Sequence, residues 1–75
     1  MKTLEQVRRA KERLEAEILS QPGVTGIDSG YRPGMGPESE PVIRIYVAHK
    51  RAAPELPTEV EGIPVIVIER RYELH

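Results

Sequence analysis

The stretch PVIRIYVAHK, residues 41–50, decides how the rest of the chain is read. Ile43, Ile45 and Val47 alternate with Arg44, Tyr46 and Ala48, and strict alternation sets the two groups on opposite faces of an extended strand. A strand over about 42–49 with one apolar face needs a second layer to bury that face.

Upstream, residues of about 3–20 supply that layer. Leu4, Val7, Ala10, Leu14 and Ile18 recur at steps of three and four, which forms one apolar stripe along a helix, with Leu19 beside it. Thr3 followed by Gln6 fits a capping box, and Glu5 suits the first turn. Glu5 with Arg9 and Arg13 with Glu17 stand at (i, i+4) spacing for ion pairs, and Pro22 with Gly23 stops the helix.

Two further strands complete the pattern. Val24, Thr25 and Ile27 predict one over about 23–30, in which Gly26 marks a bulge or a close backbone approach. Ser29 beside Asp28 reads as satisfying backbone groups at the strand's end. Residues 32–41, with three prolines, Gly34 and Gly36, read as a loop, and so do residues 50–61 with Pro54 and Pro57. Ile63 to Ile68 lies in a third strand over about 62–70, and either loop has room for one more short strand. The expected fold is α+β: a single domain over 1–75, with one N-terminal amphipathic helix packed on a small sheet of about three strands.

The third strand is apolar on both faces, whereas one helix covers only one. Val65 and Val67 point opposite to Ile66 and Ile68, so a second cover is needed: the tail 69–75, the loop around Met35, or a second copy of the chain. Val65, Ile66, Val67 and Ile68 are the candidate interface, with Ile66 and Ile68 as anchors. A homo-oligomer or another protein is the expected partner. Size argues the same way, because a domain this small buries only about 60% of the surface its unfolded chain exposes.

Composition narrows the chemistry. The absence of cysteine excludes disulfides, a thiolate nucleophile, a Cys-ligated zinc site and an iron–sulfur cluster. No apolar run is long enough for a membrane span and the first residues are too charged for a secretory signal, so a cytoplasmic location is the expectation. Eleven Lys and Arg against twelve Asp and Glu leave a formal charge of −1, and no overall field draws the protein to nucleic acid or anionic lipid.

No catalytic constellation is visible. The hydroxyls of Ser20, Ser29 and Ser39, the imidazoles of His49 and His75 and the carboxylate of Asp28 form no nucleophile motif, and the two histidines lack metal-site spacing. Glu38 with Glu40 and Glu59 with Glu61 fall in Pro-rich loops, where burial that would raise a carboxyl pKa is not expected. The expectation is a protein that is not an enzyme and holds no metal or cofactor.

Four weaker patterns are weighed beside this. Gly23 to Gly26 has the spacing of a KH-domain clamp but leads from a helix into a strand, and Arg32 with Gly34, Met35 and Gly36 could form an anion-binding nest. Ordinary turns explain both better. Arg8, Arg9, Lys11 and Arg13 are basic but interleaved with Glu5, Glu12, Glu15 and Glu17, which reads as a solvated helix face laced with ion pairs. Lys50, Arg51, Arg70 and Arg71 are less diluted; with Tyr31, Tyr46 and Tyr72 available for stacking, they make weak nucleic-acid binding the alternative function.

The blocks PGVTGIDSGY, PVIRIYVAHK and LPTEVEGIPVIVIE, in that order, resemble a small module on the amino-terminal side of some bacterial trypsin-like serine peptidases and related uncharacterised proteins. The matching features are Pro22 to Gly26, Val42 to Lys50, Leu56 with Pro57, and Gly62 to Val65, mostly glycines, prolines and strand valines that encode a fold more than a site. With no peptidase domain in the sequence, the resemblance carries no catalytic residue to any position. It implies a free-standing accessory module that packs against another protein surface or against itself.

Overall fold

The computed structural model describes residues 2–48 and 56–70. Helix α1 spans Leu4–Ile18, and four strands follow: β1 (Val24–Gly30), β2 (Val42–Val47), β3 (Glu59–Val60) and β4 (Ile63–Glu69). The fold is α+β, with the helix packed on one face of a sheet ordered β1-β2-β4-β3. The strand beyond the three expected is β3, which lies in the second Pro-rich loop, where two residues are too few to set up an alternation.

Local chemistry sets the element ends. The Thr3 hydroxyl accepts from Gln6 N at 3.2 Å and the Gln6 side-chain oxygen accepts from Thr3 N at 2.8 Å, completing the capping box. After Ile18 the chain turns through Pro22 and Gly23, whose φ of 90° is reached without strain only by glycine. The β3–β4 hairpin turns on Glu61 and Gly62, both at positive φ (52° and 80°), the conformation of a two-residue type I′ turn.

Pairing is mixed. β1 runs antiparallel to β2, with a register shift between Val24 and Gly26 that realises the expected bulge. β2 and β4 are parallel, with Ile43 opposite Val65 and Ile45 opposite Val67. The core lies between α1 and this face: Val7, Ala10, Leu14 and Ile18 meet Ile43, Ile45, Val47, Ile63 and Val65. Leu4 departs from the expected stripe and is 43% exposed, one turn ahead of the first buried position.

One ion pair also differs from expectation. Arg13 does not reach Glu17; its guanidinium meets Glu61 of the β3–β4 turn at 2.5 Å, a partner 48 positions away that helical spacing cannot predict. Glu5 takes Arg8 at 2.8 Å as well as Arg9 at 3.5 Å.

Candidate interaction face

The sheet's other face is built from every second residue of three strands. β1 contributes Gly26, Asp28 and Gly30, β2 contributes Val42, Arg44 and Tyr46, and β4 contributes Ile66 and Ile68. Register sets Asp28 opposite Arg44 and Gly26 opposite Tyr46 across β1–β2. It also sets Arg44 beside Ile66 and Tyr46 beside Ile68 across β2–β4. Val42 is fully buried yet outside the helix-side cluster.

Asp28 is the centre of a polar network. Arg44 grips it with two donors, Nε to Oδ1 at 2.6 Å and Nη2 to Oδ2 at 3.0 Å, and the Tyr46 hydroxyl donates to Oδ2 at 2.9 Å. A third Arg44 donor, Nη1, reaches the Tyr31 carbonyl at 3.2 Å and fastens the start of the 31–41 loop to the sheet. The hydrogen bond to Asp28 holds the Arg44 guanidinium above its ordinary pKa, with burial opposing it, while burial and then the same carboxylate push the Tyr46 phenol up.

The two glycines make room for this arrangement. A Cβ on Gly30 would stand 2.7 Å from Arg44 Nη2, so the guanidinium lies where a side chain would otherwise be. A Cβ on Gly26 would stand 3.8 Å from the Tyr46 ring, ordinary contact. The Arg70 guanidinium carbon lies over the same ring, 4.4 Å from the centroid and within cation–π range.

With Asp28 gripped by Arg44 and Tyr46, the network ties β1 to β2 and is arranged for cohesion more than for proton transfer. What the face offers outward is the pair Ile66 and Ile68, both half-buried, flanked by Tyr46 and the exposed Arg70. Among the described residues no three His, Asp or Glu side chains stand close enough to hold a metal ion, and no helix is long and apolar enough to cross a membrane.

The structure separates the four candidate interface residues. Val65 is 8% exposed in the core and Val67 packs against that core, so only Ile66 and Ile68 belong to the far face. Of the candidate basic patch, Arg70 is placed over Tyr46, while Lys50, Arg51 and Arg71 lie outside the described residues. The expected cover by the tail 69–75 falls largely outside them too. Met35 itself is 53% exposed.

The Arg32–Gly36 loop contains a turn. Met35 N donates to the Arg32 carbonyl at 2.9 Å, with Gly34 at φ 81°, and a Cβ on Gly34 would meet nothing within 4 Å. Asp28 belongs mid-strand to Arg44 and Tyr46 and not to a strand end. The signal that marks the network is the pairing of Gly-x-Asp-x-Gly (26–30) with Arg-x-Tyr (44–46), legible only once the strands are set in register.

No protein family, curated protein or solved structure was found to match the chain.

Proposed function

We propose that this domain is a non-enzymatic interaction module that associates with a second copy of itself through the far face of the sheet, with Ile66 and Ile68 as anchors. The observation that carries the reading is the one-sided layering: α1 packs on the face of Val65 and Val67, and two β-branched residues remain on the other. Self-association is supported by the state of the charges there. Arg44 is already neutralised by Asp28, and Arg70 stands exposed at the end of β4, so two copies can meet without burying a lone charge.

The resemblance to a bacterial peptidase accessory module and the expected cytoplasmic location belong to the same proposal. Nucleic-acid binding through Lys50, Arg51, Arg70 and Arg71 is less supported, because Arg70 occupies one face of the Tyr46 ring on which a base would stack.

The test is solution mass by sedimentation across a wide concentration range, for the wild type and for the Ile66→Thr, Ile68→Thr double variant, whose threonines keep β-branching. A concentration-dependent dimer that the variant weakens at least tenfold is the expected result. A wild-type monomer at all concentrations refutes the proposal, and salt-sensitive capture of a labelled oligonucleotide would favour the alternative.

A further inference from the structure

In the order β1-β2-β4-β3, β1 is an edge strand. Arg70 N donates to the Val47 carbonyl, so β2 turns the backbone groups of Ile43, Ile45 and Val47 toward β4 and those of Val42, Arg44 and Tyr46 toward β1. On β1 the groups of Gly26, Asp28 and Gly30 are thereby taken, whereas those of Ile27 and Ser29, opposite Ile45 and Ile43, point away from the sheet. Among the described residues nothing hydrogen-bonds to them. Lysine, proline or an inward charge usually guards such an edge, and residues 26–30 offer only Asp28, which Arg44 already holds.

The helix adds an apolar margin on the same side. Arg13 meets Glu61 of the β3–β4 turn, which sets that flank of α1 toward the other edge of the sheet. The opposite flank, on the β1 side, carries Leu4, Arg8, Lys11, Glu15 and Leu19 at steps of four, three, four and four. Leu4 and Leu19 are 43% and 48% exposed. Arg8 pairs with Glu5 and Lys11 with Glu15, at 2.8 Å each, so this flank presents no lone charge.

We infer that β1 pairs antiparallel with β1 of a second copy, about a two-fold axis through Ile27, joining two sheets edge to edge. Outward backbone groups must meet outward groups, which leaves three centres for the axis. One at Asp28 sets that carboxylate directly opposite its copy. One at Ser29 runs the pairing past Gly30 to Tyr31, whose carbonyl Arg44 already engages. The axis at Ile27 keeps every pair within Val24–Gly30, sets Ile27 against Ile27, and gives each Asp28 a glycine, Gly26, as its neighbour across the join.

The helix flank selects the same axis and argues for a second copy as occupant. The chain reverses through Leu19–Gly23, so β1 runs back along α1. Val24 to Ile27 spans about 10 Å, the length of about seven helical residues, which brings Ile27 level with Glu12 near the helix's middle. The two-fold therefore sets Leu4 of one copy level with Leu19 of the other, at both ends of the join. A peptide strand added at the edge would satisfy Ile27 and Ser29 but leave both leucines uncovered. The edge lies apart from Ile66 and Ile68, so this contact does not rest on association through the sheet's far face.

The experiment is amide hydrogen exchange on the full chain at low and high protein concentration, in the wild type and in the Ile66→Thr, Ile68→Thr variant. In both proteins exchange at Ile27 and Ser29 should slow at least about tenfold as concentration rises. Ser29→Pro removes an outward N–H at an edge position that tolerates proline, and should abolish this dependence at Ile27. The Leu4→Gln, Leu19→Gln variant, altered only at exposed positions, should associate at least about fivefold more weakly by sedimentation. The inference is overturned if Ile27 and Ser29 exchange equally fast at all concentrations, if their protection vanishes in the Ile66→Thr, Ile68→Thr variant, if folded Ser29→Pro associates as the wild type does, or if the leucine variant does. Protection of Ile27 and Ser29 that the two threonines leave intact, with no change in association, refutes the far-face reading and upholds this one.

Discussion

Replacing Asp28 by alanine removes the acceptor that serves Arg44 twice and Tyr46 once. A hydrogen bond to a charged group contributes about 1.5–3 kcal/mol where solvent is excluded, and an exposed ion pair only about 0.2–1 kcal/mol. Here the side chains are 41% exposed for Asp28 and 27% for Arg44, so the bidentate pair belongs between those limits and nearer the lower one. Adding the Tyr46 bond, we expect a loss of about 1.5 kcal/mol, which in a domain of this size lowers the melting temperature by about 6–12 °C. Thermal denaturation at pH 7 followed by far-ultraviolet circular dichroism measures this. A double-mutant cycle with Arg44→Met, which keeps the aliphatic stem, isolates the pair and should return a coupling of about 1 kcal/mol. A fall of less than about 2 °C, or a coupling under about 0.3 kcal/mol, would refute the view that this network holds β1 to β2.

Three more outcomes follow from the same geometry. Gly30→Ala puts a methyl group 2.7 Å from Arg44 Nη2 and should cost about 1 kcal/mol in the wild type, but become neutral or stabilising by about 0.5 kcal/mol in the Arg44→Met background, as read from paired denaturation curves. Gly62→Ala meets only the Lys2 side chain at 3.9 Å, yet its φ of 80° should cost about 1–2 kcal/mol through backbone strain alone, and removing the Lys2 side chain should rescue none of it. Because the Tyr46 pKa is raised in the folded state, the unfolded chain loses this proton first as pH climbs past about 10. Folded stability should therefore be unaffected by this group below that pH and fall above it, and Tyr46→Phe should flatten the high-pH limb of the stability profile.

Much of the fold is legible in the sequence because burial imposes periodicity. The stripe Val7, Ala10, Leu14 and Ile18 and the alternation Ile43, Ile45 and Val47 are direct records of which side faces the core, and all seven are buried. β3 is not legible, since Glu59 and Val60 are too few to show a period and are held by the type I′ turn and by β4. The ion pair of Arg13 with Glu61 and the cluster of Asp28, Arg44 and Tyr46 are missed for a different reason. They join positions remote in sequence, and their partners are named only by strand register and by the approach of hairpin to helix. Alternation alone sets Val65 and Val67 opposite Ile66 and Ile68, and the parallel pairing with β2 decides which pair goes inward.

The far face of the sheet is organised by polarity where the helix face is organised by burial, and this bears on association. β1 is poor in apolar side chains, with Val24 and Ile27 as its contribution to the packing, so hydrophobic contact alone specifies its register weakly. The Asp28–Arg44 fork supplies what burial does not, because it closes only when those two residues stand opposite each other. The same fork neutralises the one cation in the middle of the surface proposed to meet a second copy. Breaking it would leave Arg44 unpaired beside Ile66 and make dimerisation desolvate a lone charge, a penalty of several kcal/mol. Asp28→Ala should therefore weaken self-association far more than the Tyr46→Phe change does, when both are measured by sedimentation at temperatures where each variant remains folded. If the two variants associate equally well, Arg44 is not covered in the assembly, and the contact between copies must be sought away from this face.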